Sequence, residues 1–121
     1  MHLLPAERAD RRVIDEERVC AAIGSVDPAI VQDWSQRFAL LSDPTRLSLL
    51  LCIRAAGPIS VTDLAVAVDQ NPDAVSQTLR LLRAHRTVST HRDGRVIRYR
   101  LADPAISHLL SLAEPPASLR R

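Results

Sequence analysis

The chain contains no lysine; all 16 of its basic residues are arginine. We read this as base composition of the genome, although arginine does suit bidentate contacts to phosphate and guanine. Its glycines are only Gly24, Gly57 and Gly94. Each falls where a helix end or a turn is expected, so no glycine-rich loop can cradle a nucleotide. The aromatic residues are Trp34, Phe38 and Tyr99, which leaves a core to be built from aliphatic side chains. Two cysteines, Cys20 and Cys52, are too few for a disulfide framework and read as free thiols. No apolar run approaches the ~20 residues of a membrane helix, and no signal-peptide pattern opens the chain. The expected compartment is therefore the cytoplasm. No serine, histidine and acid, nor cysteine and histidine, fall into a recognisable catalytic setting. No enzyme is expected.

What the chain does have is 121 residues, 46% of them apolar, enough for one core burying roughly two-thirds of the unfolded surface. The informative stretch is "ISVTDLAVAVDQNPDAVSQTLRLLRAHR", residues 59–86. Ser60 followed by Asp63 is a capping-box-like helix start, with Leu64 and Val68 one turn apart. Asn71-Pro72 then breaks the chain and opens a second helix, since asparagine caps and proline suits the first helical position. In that helix Val75, Leu79 and Leu82 repeat as a buried stripe. At 100° per residue, Asp73, Gln77 and Arg80 then face outward and Ser76 lies on the flank. An apolar inner face with Ser, Gln and Arg outside is the layout of a helix-turn-helix whose second helix reads DNA.

After Arg86 the period changes from helical to alternating. "TVSTHRDGRVIRYRL" carries an Asp93-Gly94 turn signal between two short strands. Ile97, Tyr99 and Leu101 fall on one face and are expected inside; Val96, Arg98 and Arg100 fall on the other. Between residues 76 and 100 seven arginines face one aspartate, a local charge of +6, against +2 for the whole chain. Residues 1–75 carry seven arginines and eleven acids, or −4. The basicity thus sits on the one segment that could meet a phosphate backbone. A basic hairpin directly after a recognition helix makes a winged helix-turn-helix.

The other elements frame this unit. Residues 1–5 read as a flexible arm, residues 6–114 as one DNA-binding and dimerisation domain, and residues 115–121 as a flexible tail. Nine of the twelve residues 7–18 are charged. With Glu7 and Arg11 at i,i+4 spacing and a thin stripe of Ala9, Val13, Cys20 and Ile23, they suggest a first helix in need of a partner. Asp27-Pro28 opens a second helix, with Val31, Trp34, Phe38 and Leu41 on one face. Asp43-Pro44 opens a third, apolar nearly all round and therefore central. Asp103-Pro104 opens a last one, stopped by Pro115-Pro116. The expected fold is mainly α with a small β-hairpin, in the order α-α-α-α-α-β-β-α. The thin first helix and the leucine-bearing last one call for a homodimer, whose two recognition helices would lie about 34 Å apart and read an inverted repeat.

Four blocks in this order carry a resemblance: "LLSDPTRLSLLLCI", "ISVTDLA", "NPDAVSQTLRLLR" and "DGRVIRYRL". Over roughly residues 34–113 the chain resembles the ArsR/SmtB regulators. That family consists of small dimeric winged-helix repressors released from operator DNA by a metal ion or another signal. Operator DNA and a second copy of the chain are thus the expected partners, with a co-regulator protein as a further one. For DNA contact the residues are Asn71, Ser76, Gln77, Arg80 and Arg83 on the helix, and Arg92, Arg95 and Arg98 on the wing. Gln77 suits adenine and Arg80 suits guanine or phosphate.

The effector is read from the departures. Where the family's metal sensors often place "ELCxCDL", this chain has "PISVTDL"; Ser60 and Thr62 do not replace thiolates for soft metals. The family's site on the last helix keeps Asp103, lacks its first histidine at Ala105, and has His108 nearby. His2, beside the amino terminus, could chelate nickel or copper. The expected cofactor is therefore a divalent transition metal, nickel or zinc, on His2, Asp103 and His108. The alternatives are control by redox state through Cys20 or by a partner protein, and a winged helix used as a protein-interaction module.

Overall fold

Every α-helix in the described residues, 4–116 of this computed structural model, begins on a side chain that accepts a backbone N–H. The order is α1 (Glu16–Gly24), α2 (Pro28–Leu41), α3 (Pro44–Ala56), β1 (Ile59–Ser60), α4 (Val61–Val68), α5 (Pro72–Ala84), β2 (Val88–Asp93), β3 (Val96–Leu101) and α6 (Pro104–Ser111). The caps are Asp15, Asp27, Asp43, Ser60, Asn71 and Asp103, with N···O distances from 2.7 to 3.2 Å. Proline follows four of them, where its missing N–H costs nothing. Each cap contributes about 0.5–2 kcal/mol relative to alanine. Six short helices are thus delimited by local chemistry.

The chain divides into two compact units, Met1–Gln36 and Arg37–Arg121. In the first, residues 6–8 make a single 3-10 turn and α1 starts only at Glu16. The charged run 7–18 is therefore not the helix expected of it. Ion pairs at i,i+4 spacing stabilise a helix by only about 0.2–0.5 kcal/mol each. That cannot offset helix nucleation where no apolar face is buried. Cys20 is buried, whereas Ile14, Val26, Ile30 and Val31 are exposed. The amino-terminal arm and the tail lie largely outside the described residues, and His2 lies outside them entirely.

The second unit holds the aliphatic core. Leu49, Leu50 and Ile53 of α3 meet Leu64 of α4, Val75, Leu79 and Leu82 of α5, Val88 of β2, and Ile106 and Leu110 of α6, all at 2% exposure or less. Fully burying each large aliphatic side chain contributes about 1.5–3 kcal/mol. From α2 it is Leu40 that enters this core, while Phe38, expected on the inner face, is 56% exposed. Arg46 holds the end of α2 in place. Its guanidinium donates to the carbonyls of Leu40 (2.9 Å) and Ala39 (2.8 Å), in the last turn of α2 where carbonyls lack i+4 helical partners. α3 ends at Gly57, whose φ of +74° suits glycine and whose N–H reaches the Ile53 carbonyl at 3.0 Å.

The sheet is antiparallel in the order β1-β3-β2. The two-residue β1 was not legible in the sequence; it pairs Ile59 with Tyr99 and Ser60 with Arg98. It ties the start of α4 to the wing. Asp93 pairs with Val96, so the hairpin turn is Gly94-Arg95, one residue later than the Asp93-Gly94 signal. Gly94 has φ +63° and Arg95 is not among the positive-φ residues, a pattern that fits a type II′ turn. Together these elements form a winged helix-turn-helix. No helix among the described residues is long and apolar enough to cross a membrane.

One core atom is badly served. The hydroxyl of Thr87, 1% exposed between α5 and β2, has no hydrogen-bond partner. A buried unsatisfied hydroxyl costs about 1–3 kcal/mol. Thr87→Val keeps the shape and removes the cost, so it is expected to raise the melting temperature by several degrees, about 4–8 °C per kcal/mol in a domain of this size. A calorimetric scan showing destabilisation would place a partner on that oxygen.

Candidate nucleic-acid interface

The inner stripe of α5 fixes what its outer face presents. With Val75, Leu79 and Leu82 at 0% exposure, Asp73, Gln77, Arg80 and Arg83 are exposed and Ser76 is half-buried. This is the arrangement the 100° wheel predicts. Asn71 is the helix cap, its Oδ1 accepting the Asp73 N–H at 2.7 Å, which leaves its amide NH2 as the group turned outward for bonding. α5 leads through Arg86, at φ +60°, and buried Thr87 straight into β2. The wing is therefore held to the helix by a three-residue joint, His85 to Thr87, whose last residue is bonded on both sides: Thr87 N–H to the Leu82 carbonyl and Ala102 N–H to the Thr87 carbonyl, each 2.9 Å.

The arginines of this surface divide into two groups. Arg98 pairs with Asp93 at 3.4 Å, and the Arg100 Nε donates to the Ser89 hydroxyl at 3.3 Å. Arg98 is also half-buried and lies opposite Ser60 of β1, so of the expected arginine contacts it is the one with an ion pair inside the wing. Arg80, Arg83, Arg86, Arg92 and Arg95 are exposed, and their guanidinium groups make no hydrogen bond or ion pair with another described residue. Arg86 was not among the expected contacts; its free charge is visible only once the neighbouring groups are placed. The inward face expected of β3 holds for Tyr99 and Leu101, which pack against the core. It fails for Ile97, 45% exposed, because the ribbon projects beyond the core before it turns.

The effector residues are placed differently. Asp103 uses one carboxylate oxygen on the Ala105 N–H (2.9 Å) and the other on Arg37 (2.8 Å). A guanidinium so close already neutralises that carboxylate, and it leaves no site for a cation. Asp103 is thus the cap of α6 and its tie to α2. His108 is exposed, five residues along α6 and on a different face. Among the described residues no three of His, Cys, Asp and Glu cluster as a metal site would require. Asp103 and His108 of one protomer do not fit a nickel or zinc ion. Burial pushes the Cys52 thiol up from its ordinary value and keeps it protonated.

Comparison with known proteins places this surface in context. The family described as HVO_A0114 matches residues 41–102. The transcriptional repressor SmtB homolog of Synechocystis sp. is 40% identical over 88 residues, 73% of this chain and 62% of that protein. Among solved structures, the AntR antimony-specific transcriptional repressor is similar with a TM-score of 0.67 and 32% identity, covering 92% of this chain and 89% of that one. A homodimeric winged helix-turn-helix DNA-binding domain from Mycobacterium bovis is similar with a TM-score of 0.62 and 25% identity, over 70% and 78%. The chain spans about six-tenths of the length of the curated relatives it matches.

Proposed function

Since the chain belongs to the ArsR/SmtB family of winged-helix regulators, we propose that it binds an inverted-repeat operator in double-stranded DNA as a homodimer and regulates transcription there. The observation that carries this is a helix, α5, with Gln77, Arg80 and Arg83 exposed, followed directly by Arg86 and by a wing with Arg92 and Arg95 exposed, their guanidinium groups without a partner among the described residues. Arginine and glutamine are the side chains that pair bidentately with guanine and adenine in the major groove. The remaining cations supply the sequence-independent attraction to phosphate.

A gel shift at ~150 mM salt tests it, using a duplex selected from a random pool. Non-specific affinity collapses at that salt while specific contacts survive. Retention of the selected duplex and release of random DNA are expected. Equal behaviour of the two would favour docking of the basic wing on an acidic protein. The homodimer is supported by the apolar side chains left exposed, Ile14, Val26, Ile30 and Val31 in the first unit and Leu112 beyond α6. Sedimentation as a monomer at working concentration would contradict it.

For the releasing signal we keep a divalent transition metal such as nickel or zinc. Of the three proposed ligands, only His108 has an uncommitted donor among the described residues. Calorimetric titration with either metal is expected to give the same isotherm for Asp103→Asn as for the natural chain, and a weakened one for His108→Ala. Unchanged binding in His108→Ala would remove that residue from the site.

A further inference from the structure

α5 carries one acid, and it stands among the residues placed to read bases. Asp73 is exposed in the first turn, on the same outer face as Gln77 and Arg80. At 100° and 1.5 Å per residue the three lie within about 60° of one line, with Gln77 about 6 Å and Arg80 about 10 Å farther along the helix. The backbone of Asp73 is well fixed. Pro72 restricts the residue before it, and its own N–H is held by the Asn71 Oδ1 at 2.7 Å. Its carboxylate makes no hydrogen bond or ion pair with another described residue. Ser76 and Gln77 fill the i+3 and i+4 positions from which a cation of the same helix could pair with it. Asp93 of the wing, by contrast, is paired with Arg98.

An unpaired carboxylate on a surface that meets phosphates opposes binding. In the major groove it is favourable at one kind of base. Guanine presents two acceptors there, thymine one acceptor, and adenine an acceptor beside its donor. Cytosine presents a donor, its N4 amino group, and no acceptor. An ionised aspartate accepts on both oxygens, so it matches cytosine and is repelled by the acceptor edges of the other three. The N-terminal residues of a recognition helix are the ones that reach base edges. Asp73 is the second residue of α5.

Taking the DNA-binding reading above as given, we propose that Asp73 is a specificity-determining residue that accepts a hydrogen bond from the N4 amino group of one cytosine in each half-site and rejects the other bases there. Its charge lowers affinity for DNA in general and raises selectivity at that position. Gln77 and Arg80 act on base pairs farther along the same groove.

The test replaces each base pair of a selected duplex in turn by the other three and measures affinity by fluorescence anisotropy at ~150 mM salt. The natural chain is expected to show one position per half-site where cytosine is preferred about tenfold, the usual cost of one wrong pair. Asp73→Ala and Asp73→Asn are expected to lose that preference. Both should also bind random DNA more tightly, roughly fivefold for one negative charge removed at this salt. Gln77→Ala is expected to keep the cytosine preference and to relax a different position. Absence of a cytosine position in the natural chain would overturn the proposal. So would a preference that survives in both Asp73 variants while affinity rises equally on every duplex, since Asp73 would then be a repulsive charge and nothing more. Unchanged affinities throughout would make it only a charge at the start of α5, and overturn the proposal as well. Failure of the natural chain to prefer the selected duplex over random DNA would instead overturn the DNA-binding reading itself. Thermal melting of the two variants, at an exposed position, checks that they are folded.

Discussion

Arg80→Ala is expected to weaken binding to a selected operator by about 1–3 kcal/mol, tenfold to more than a hundredfold, the range of one bidentate base contact. On random DNA the same change removes one cation and lowers affinity only by that share of the salt-dependent attraction. The asymmetry is what matters. Arg80 lies on the outer face of α5, opposite three residues at 0% exposure, and no group among the described residues bonds its guanidinium. Gln77→Ala, one turn earlier on that face, is expected to relax preference at one base position while sparing the others. Fluorescence anisotropy on selected and randomised duplexes measures both. Equal losses on the two kinds of DNA would make Arg80 a phosphate contact and leave the helix without its reader.

The second large effect is on stability. Leu79→Ala removes a side chain that is 0% exposed at the centre of the core. Such truncations cost about 2.7–5 kcal/mol, because a cavity remains where the neighbours cannot collapse. At about 4–8 °C per kcal/mol the melting temperature falls by more than about 10 °C. Leu81→Ala, two residues on and 41% exposed, is the internal control and is expected to cost far less. Comparable losses in the two variants would mean that α5 is rotated from the orientation described, and with it Gln77 and Arg80.

The parts of this fold that local chemistry dictates were open to reading from the residues alone. Asp27, Asp43, Ser60, Asn71 and Asp103 announced their helices because a capping side chain needs only the next two or three residues. The outer face of α5 followed from the spacing of three apolar residues. What escaped depends on groups distant in sequence. β1 is two residues long and exists only because β3, about forty residues later, pairs with it. Asp103 looked available to a metal until Arg37, 66 residues away, was found on its second oxygen. The ion pair of Arg98 with Asp93 and the strand β1 beside it were likewise not visible from local spacing. The run 7–18 misled in the opposite sense: its charge pattern fits a helix, but no apolar face accompanies it.

Backbone amide NMR of the chain, recorded with and without a selected duplex, tests most directly which surface meets DNA. The largest shift changes are predicted at residues 71–86 and 90–98, with the amides of Leu49, Leu50 and Ile53 nearly unmoved. Changes concentrated on α1, α2 or α6, with α5 and the wing silent, would contradict the interface described.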